Sequence, residues 1–202
     1  MAIFKFSNAG GFGTFQRYND FLAGNPAVNL DNGSYFPLGE FTLATAQANI
    51  EFTNIPQTYT HLQLRCNMRL TGTNSSDGSA VDMQFNGDTT SLYANHYLYG
   101  VGSGSGTSGN EANTNVVRVW RATTPTQTAD IFGACVLDIL DYKNTNKFKT
   151  VRFLSGFDNN GSGLVSLNSG LWRSSTAITS IKLTPPSNFA TNSSFQLYGV
   201  LA

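Results

Sequence analysis

The chain has 202 residues, of which only 12% are charged, and its 12 basic and 12 acidic side chains give a formal net charge of zero. This balance argues against a nucleic-acid-binding protein, which normally carries a basic excess. The length suits one all-β domain with a hydrophobic core of its own. No apolar stretch approaches the roughly 18 residues of a membrane-spanning helix, so membrane insertion is not expected.

The first 33 residues differ from the rest in being rich in glycine and aromatic side chains. These aromatic residues are irregularly spaced and cannot all enter a core that begins later. They either pack on the chain's own domain or become buried against another subunit, and we favour the subunit because exposed aromatic patches mark interfaces. We therefore predict an extended N-terminal arm over residues 1–33 and a β-domain over residues 34–202. The predicted attachment residues are Phe4, Phe6, Phe12, Phe15, Tyr18 and Phe21.

Two features bear on the cellular setting. The start, MAIFKFSNAGGFG, has neither the apolar region nor the cleavage site of a secretory signal, so we expect synthesis in a cytoplasm. Cys66 and Cys135 occupy inward positions of predicted strands and lack the spacing of metal ligands. We interpret them as buried free thiols rather than as a disulfide.

The strand signal is clearest in residues 61–70, HLQLRCNMRL, where apolar and polar side chains alternate without a break. This period of two is typical of a half-buried strand. Further strands are predicted at Phe41–Ala44, Ile50–Ile55, Val81–Phe85, Leu92–Tyr99, Val116–Arg121, 131–140, Phe148–Leu154, Leu164–Leu171, Ile178–Leu183 and Phe195–Leu201.

Several local signals refine this pattern. The first two of these strands are expected to pair with each other, and Asn86-Gly87 predicts a sharp reversal. Residues 101–110, VGSGSGTSGN, are typical of a flexible surface loop. Residues 131–140 are apolar on both faces, which places their strand in the middle of the fold. On the closing strand, Phe195, Leu197 and Leu201 are expected to share one face.

Short strands at fairly regular spacing with almost no helix define the predicted fold class. We predict an all-β protein, a two-sheet antiparallel β-sandwich that is jelly-roll-like and carries an extended N-terminal arm.

The ionisable side chains form no recognisable catalytic motif. His61 and His96 are interpreted as structural or surface residues, since no G-x-S-x-G elbow is present to aim a nucleophile. Asp138 and Asp141 are three residues apart in an extended segment, so they point to opposite faces and do not converge like glycosidase carboxylates. We predict no catalytic residue and a non-enzymatic protein.

The loop DNNGSG at residues 158–163 begins like a calcium-binding loop. The acidic ligand that such a loop needs at its twelfth position is replaced by Ser169. A turn is therefore the favoured interpretation, and we predict no metal and no cofactor.

Aromatic residues beside polar donors remain as a candidate site. Tyr93, Tyr97, Trp120 and Trp172 could form a glycan-binding surface. The favoured alternative is that residues such as Tyr99 and Trp172 are half-buried parts of the sandwich.

Six phrases of the sequence carry a family resemblance. They are FQRYNDFLAGNPA (15–27), NIPQTYTHLQLR (54–65), MQFNGDTTSLYANHYLYG (83–100), ILDYKNTNKFKTVRFLSGFDNNGSG (139–163), SGLWRSSTAITSIKLTP (169–185) and SSFQLYGVLA (193–202). Together they resemble small virion proteins of tailed bacteriophages, especially phages of aquatic bacteria and cyanobacteria.

The resemblance implies a virion structural protein assembled in the host cytoplasm, either a capsid-decoration (cement) protein or a short fibre. The arm would dock on a capsid or tail protein, and copies would form a homo-oligomer, with a trimer favoured by the rotational symmetry of such particles. The alternative is a receptor-binding fibre domain that recognises host-surface glycans. A glycan hydrolase is the third and least favoured hypothesis.

Overall fold

The computed structural model describes residues 34–72 and 75–201, except for the side chain of Trp120. All regular secondary structure in these residues is β-strand. The strands form two antiparallel sheets, which confirms the predicted fold class. The predicted arm, residues 1–33, lies outside the described part, so the division at residue 33 stays a prediction. The strands are β1 (Tyr35–Thr42), β2 (Ile50–Phe52), β3 (His61–Met68), β4 (Ser79–Phe85), β5 (Tyr93–Val101), β6 (Thr107–Thr114), β7 (Val117–Ala122), β8 (Gly133–Leu140), β9 (Lys149–Asp158), β10 (Gly163–Trp172), β11 (Ile181–Thr184) and β12 (Ser194–Val200).

The strand order is that of a jelly roll with two inserted hairpins. The larger sheet has the order β1-β12-β3-β8-β9-β10-β5-β6, and the smaller sheet has the order β2-β11-β4-β7. Leaving out the β5–β6 and β9–β10 hairpins gives two sheets of four strands, and the chain then changes sheet at every step except from β4 to β7, as in a jelly roll. Both hairpins extend the same sheet, so the larger sheet has twice as many strands as the smaller one.

The core lies between the sheets and follows the alternation of the strands. On β3 the side chains of Leu62, Leu64 and Met68 are fully buried, as predicted. Cys66 is buried as well and lies directly opposite Cys135 on β8. Both thiols are free, which confirms the interpretation of the cysteines. Burial raises the pKa of Cys66 and raises that of Cys135 to about 12.

The predicted reversal at Asn86-Gly87 is confirmed, because both residues have positive φ angles of 53° and 67°. The reversal does not form a hairpin, since β4 and β5 belong to different sheets. The Asn86 side chain donates to the Ala177 carbonyl at 2.8 Å and accepts from the Thr179 amide at 2.8 Å. It therefore ties the crossing chain to the segment before β11.

Two predictions about the strands were wrong, and the predicted loop at residues 101–110 is shorter than expected. β1 and β2 do not pair, because the chain passes from the larger to the smaller sheet between them. Residues 102–106 form the predicted loop, but Val101 ends β5 and residues 107–110 begin β6. The edge strand β6 lacks large apolar side chains, and its pairing with β5 holds it in place. Leu201 is 43% exposed beyond β12 instead of sharing the face of Phe195 and Leu197.

No helix within residues 34–72 or 75–201 is long and apolar enough to cross a bilayer.

Candidate interaction surface on the larger sheet

The outer face of the larger sheet carries a continuous row of exposed aliphatic side chains. Val136 on β8 lies opposite Leu154 on β9, Leu154 lies opposite Leu167 on β10, and Leu167 lies opposite Leu98 on β5. Their exposed fractions are 44%, 57%, 51% and 53% in that order. Val165 on the same face of β10 is 59% exposed. Leu98, Val136, Leu154, Val165 and Leu167 are named the aliphatic patch below.

The patch arises from ordinary strand alternation. Leu137, next to Val136 on β8, and Phe153, next to Leu154 on β9, point inward and are buried. Since side chains of a strand point alternately to its two faces, Val136 and Leu154 must point outward. The described part of the chain places nothing over them, and the four strands hold them as direct cross-strand neighbours.

A shallow groove runs beside the row because small residues occupy the next outward positions. Gly156 on β9 lies opposite Ala134 and Val165, and Val165 lies opposite Gly100. The resulting groove has a volume of about 530 Å³. Gly156 cannot carry a side chain without a shift, because a Cβ atom there would lie 2.3 Å from the backbone oxygen of Leu164.

Polar side chains border the patch on the side of β3. Gln63 donates to the Asp138 carboxylate at 2.9 Å, and Arg65 donates to the Gln63 side-chain oxygen at 2.8 Å. Asp138 lies opposite Arg152 on β9. On the other side, Ser108 of β6 lies opposite Leu98. An apolar centre with a polar rim is the usual anatomy of a protein–protein interface.

The role of the aliphatic patch cannot be taken from a protein family. No protein-family model matches the chain, and no curated protein matches it. The function of the surface must therefore be inferred from its own chemistry.

The sequence contained one signal for the patch, which we interpreted differently. The strand at residues 131–140 was predicted to lie in the middle of the fold because it is apolar on both faces. β8 is indeed the fourth of eight strands, and its inward residues lie in the core. Its outward residues Val136 and Leu140 are nevertheless 44% and 45% exposed. The second apolar face of this strand is therefore exposed within the described residues rather than covered.

The carboxylates considered for catalysis have local partners. Asp138 lies on the outer face and accepts the hydrogen bond from Gln63. Asp141 lies in the turn after β8, where it pairs with Lys147 and lies 3.6 Å from His61 Nδ1. The hydrogen bond and the charge of Lys147 lower the pKa of Asp141. Its amide donates to His61 Nδ1 at 2.9 Å, so His61 and Asp141 support the turn together.

The DNNGSG segment is a turn between β9 and β10, as favoured from the sequence. The Asp158 side chain accepts from the Gly161 amide at 3.0 Å, and Asn160 and Gly161 have positive φ angles of 58° and 92°. Asp158 thus caps its own turn. In the described ranges no group of three His, Cys, Asp or Glu residues is placed to hold a metal ion.

Two of the four residues proposed for glycan binding are core residues. Tyr93 and Trp172 are 0% and 2% exposed, and their rings stack with centroids 6.1 Å apart. They fill the space between the sheets beside Phe85, so they cannot form a surface for a glycan in the folded chain. The favoured alternative for Trp172 was therefore correct, although the residue is more deeply buried than expected.

The other two residues have different outcomes. Tyr97 is half-buried near the β6 edge, and its ring centroid lies 6.0 Å from that of the half-buried Tyr99. The Arg121 guanidinium lies over the Tyr99 ring at 5.4 Å. Trp120 belongs to β7, but its side chain is outside the described atoms. The six attachment residues Phe4, Phe6, Phe12, Phe15, Tyr18 and Phe21 likewise lie outside the described residues.

Proposed function

We propose that the chain is a non-enzymatic structural protein of a bacteriophage virion, a capsid-decoration or short-fibre protein. In this proposal the β-sandwich is displayed on the particle, and the aromatic arm attaches it to another virion protein. The observation that carries the proposal is the aliphatic patch. It is an exposed apolar row that crosses four strands on the outer face of the larger sheet. Contiguous exposed apolar surface of this kind marks a contact surface in soluble proteins.

Two further properties support a protein that works in an assembly. A formal net charge of zero and a low charged fraction suit an assembled protein better than a free monomer. Jelly rolls recur in viral capsid proteins as well as in lectins. The resemblance of the sequence phrases to phage virion proteins is the reason for proposing a phage virion as this assembly.

The arm predicts a separable attachment function. We expect the Phe4→Ser/Phe6→Ser/Phe12→Ser/Phe15→Ser variant to lose attachment to the particle, because the buried rings would supply the contact at about 25 cal/mol per Å² of apolar area. Attachment is measured by co-sedimentation with particles and by densitometry of the bound chain against the major capsid protein. The circular dichroism spectrum of the β-domain should not change.

A matched control is Phe148→Ser, which removes an exposed ring, 54% accessible, from the β-domain. This variant should attach like the wild type. Attachment that survives loss of all four arm phenylalanines would remove the arm from the proposal, and absence of the wild-type chain from purified particles would refute the proposed function.

The alternative function is a host-glycan adhesin, and the pair of half-buried tyrosines near the β6 edge favours it. Tyr97 lies beside Tyr99, and each side chain offers an apolar ring face together with a hydroxyl that can hydrogen-bond a sugar. We expect Tyr97→Ala to abolish binding of purified protein to host envelopes if this function is correct. The control is Tyr198→Ala, on β12 near the opposite edge of the larger sheet, and this variant should bind normally. Wild-type protein that does not bind host envelopes would eliminate the adhesin.

A further inference from the structure

We propose that the aliphatic patch binds the same patch of a second copy, so that two larger sheets pack face to face about a two-fold axis. This inference rests on the proposed function, in which the patch is an assembly contact, and it names the partner. It does not depend on which virion component the arm binds.

The first support is the chemistry of the patch. All five residues are Leu or Val, and the row crosses four neighbouring strands with no charged side chain between them. An aliphatic sheet face fits another sheet face, since stacked sheets pack about 10 Å apart with interdigitating side chains. The patch itself offers no polar donors or acceptors that would recognise a sugar or a nucleotide.

The second support is that the described surface provides no other match. A head-to-tail contact, including one in a cyclic trimer, requires a second surface complementary to the first. Outside the outer face of the larger sheet, the strongly exposed apolar residues are spread over β1, two connecting segments and the residue after β12, and they form no row four strands wide. They are Tyr35, Phe41, Leu92, Phe148 and Leu201. A two-fold contact needs only the patch itself.

The third support is the available area. Eight strands spaced about 4.8 Å apart and about eight residues long give the larger sheet a face of about 38 by 26 Å, or about 1,000 Å². A stable interface of standard size buries about 800 Å² on each partner. The rim carries both signs of charge, with Arg65 and Arg152 near Asp138, so a two-fold partner presents unlike as well as like charges to it.

The proposal is tested by the mass of the full chain in sedimentation equilibrium. We expect the wild type at 43.6 kDa, which is twice the chain mass of 21.8 kDa. Leu154→Lys/Leu167→Lys places four ammonium groups in the contact and should raise the dimer dissociation constant about 100-fold or more. Leu92→Lys/Leu201→Lys introduces the same charges at exposed leucines away from the row and should leave the dimer intact.

A second variant keeps the test independent of the folding of the lysine variant. Leu154→Cys places one exposed thiol on the patch, while both native thiols are buried. A short bismaleimide should link this variant into covalent dimers, and Leu92→Cys should give far fewer.

Three outcomes would overturn the inference. They are a monomeric wild type at about 100 μM, well above the dissociation constants typical of standard-size interfaces, a trimeric mass, and an oligomer that survives the folded Leu154→Lys/Leu167→Lys variant. The proposed function fails separately. A dimer that never attaches to particles refutes the virion role alone, whereas a monomer that attaches through its arm refutes the self-association alone.

Discussion

We expect Trp172→Ala to lower the free energy of unfolding by about 3–5 kcal/mol, the usual range for removing a buried Trp side chain. Trp172 is 2% exposed, and its ring centroid lies 5.5 Å from Phe85 and 6.1 Å from Tyr93. Its indole N–H donates to the Asp88 carboxylate at 2.7 Å. Alanine would leave a cavity in this cluster and would also deprive Asp88 of one donor.

Trp172→Phe limits the cavity, because it keeps a six-membered aromatic ring in the cluster while it removes the N–H donor together with the five-membered part of the indole. It should lower the free energy of unfolding by less than Trp172→Ala does, by about 1.5–3 kcal/mol, the range for a hydrogen bond to a charged group. Urea denaturation followed by circular dichroism measures both variants. Equal stability of Trp172→Ala and the wild type would contradict the assignment of Trp172 to the core. Loss of any binding activity in Trp172→Ala would therefore report damage to the fold rather than a glycan contact.

We expect Lys149→Met to lower the free energy of unfolding by about 3 kcal/mol. Lys149 is fully buried at the start of β9, although it carries an amine. Its Nζ donates to the backbone oxygens of Lys147 and Ser175 at 3.1 Å each and to that of Asn144. Desolvation by burial lowers the pKa of Lys149. Methionine fills a similar volume but leaves three carbonyls of the surrounding turns without this donor.

The same substitution two residues earlier is the control. Lys147 is more than half exposed and pairs with the Asp141 carboxylate in the turn. Because exposed ion pairs contribute little, Lys147→Met should change the free energy of unfolding by less than about 1 kcal/mol. Equilibrium unfolding in urea compares the two variants at one pH. Similar losses in both would show that the buried amine has no special role in holding the turns.

The aliphatic patch could not be predicted from the sequence, although its strands could. Leu98, Val136, Leu154 and Leu167 are far apart along the chain, although each sits in a strand that was predicted from the sequence. Their meeting in one row depends on strand order and register, which long-range pairing sets. The sequence also left Tyr93 and Trp172 as possible glycan-binding residues, because an aromatic residue beside polar neighbours has the same local pattern in a core and at a binding site.

The sequence by itself determined the class of the fold and the local direction of its chain. The period of two in His61–Met68, the reversal at Asn86-Gly87 and the turn at DNNGSG follow from side-chain alternation and from residues that tolerate positive φ angles. Such properties depend on neighbours within a few residues, so they can be read directly from the chain.

Only the tertiary structure decided which sheet each strand joins and which apolar face stays uncovered. β1 and β2 separate into different sheets, β6 is ordered by its pairing with β5, and both hairpins widen the same sheet. The extra width extends the larger sheet beyond the four-strand width of the smaller one and brings the aliphatic patch together on its outer face. That outcome depends on contacts between distant segments, whose free energy is shared over the whole core and leaves no local pattern in the sequence.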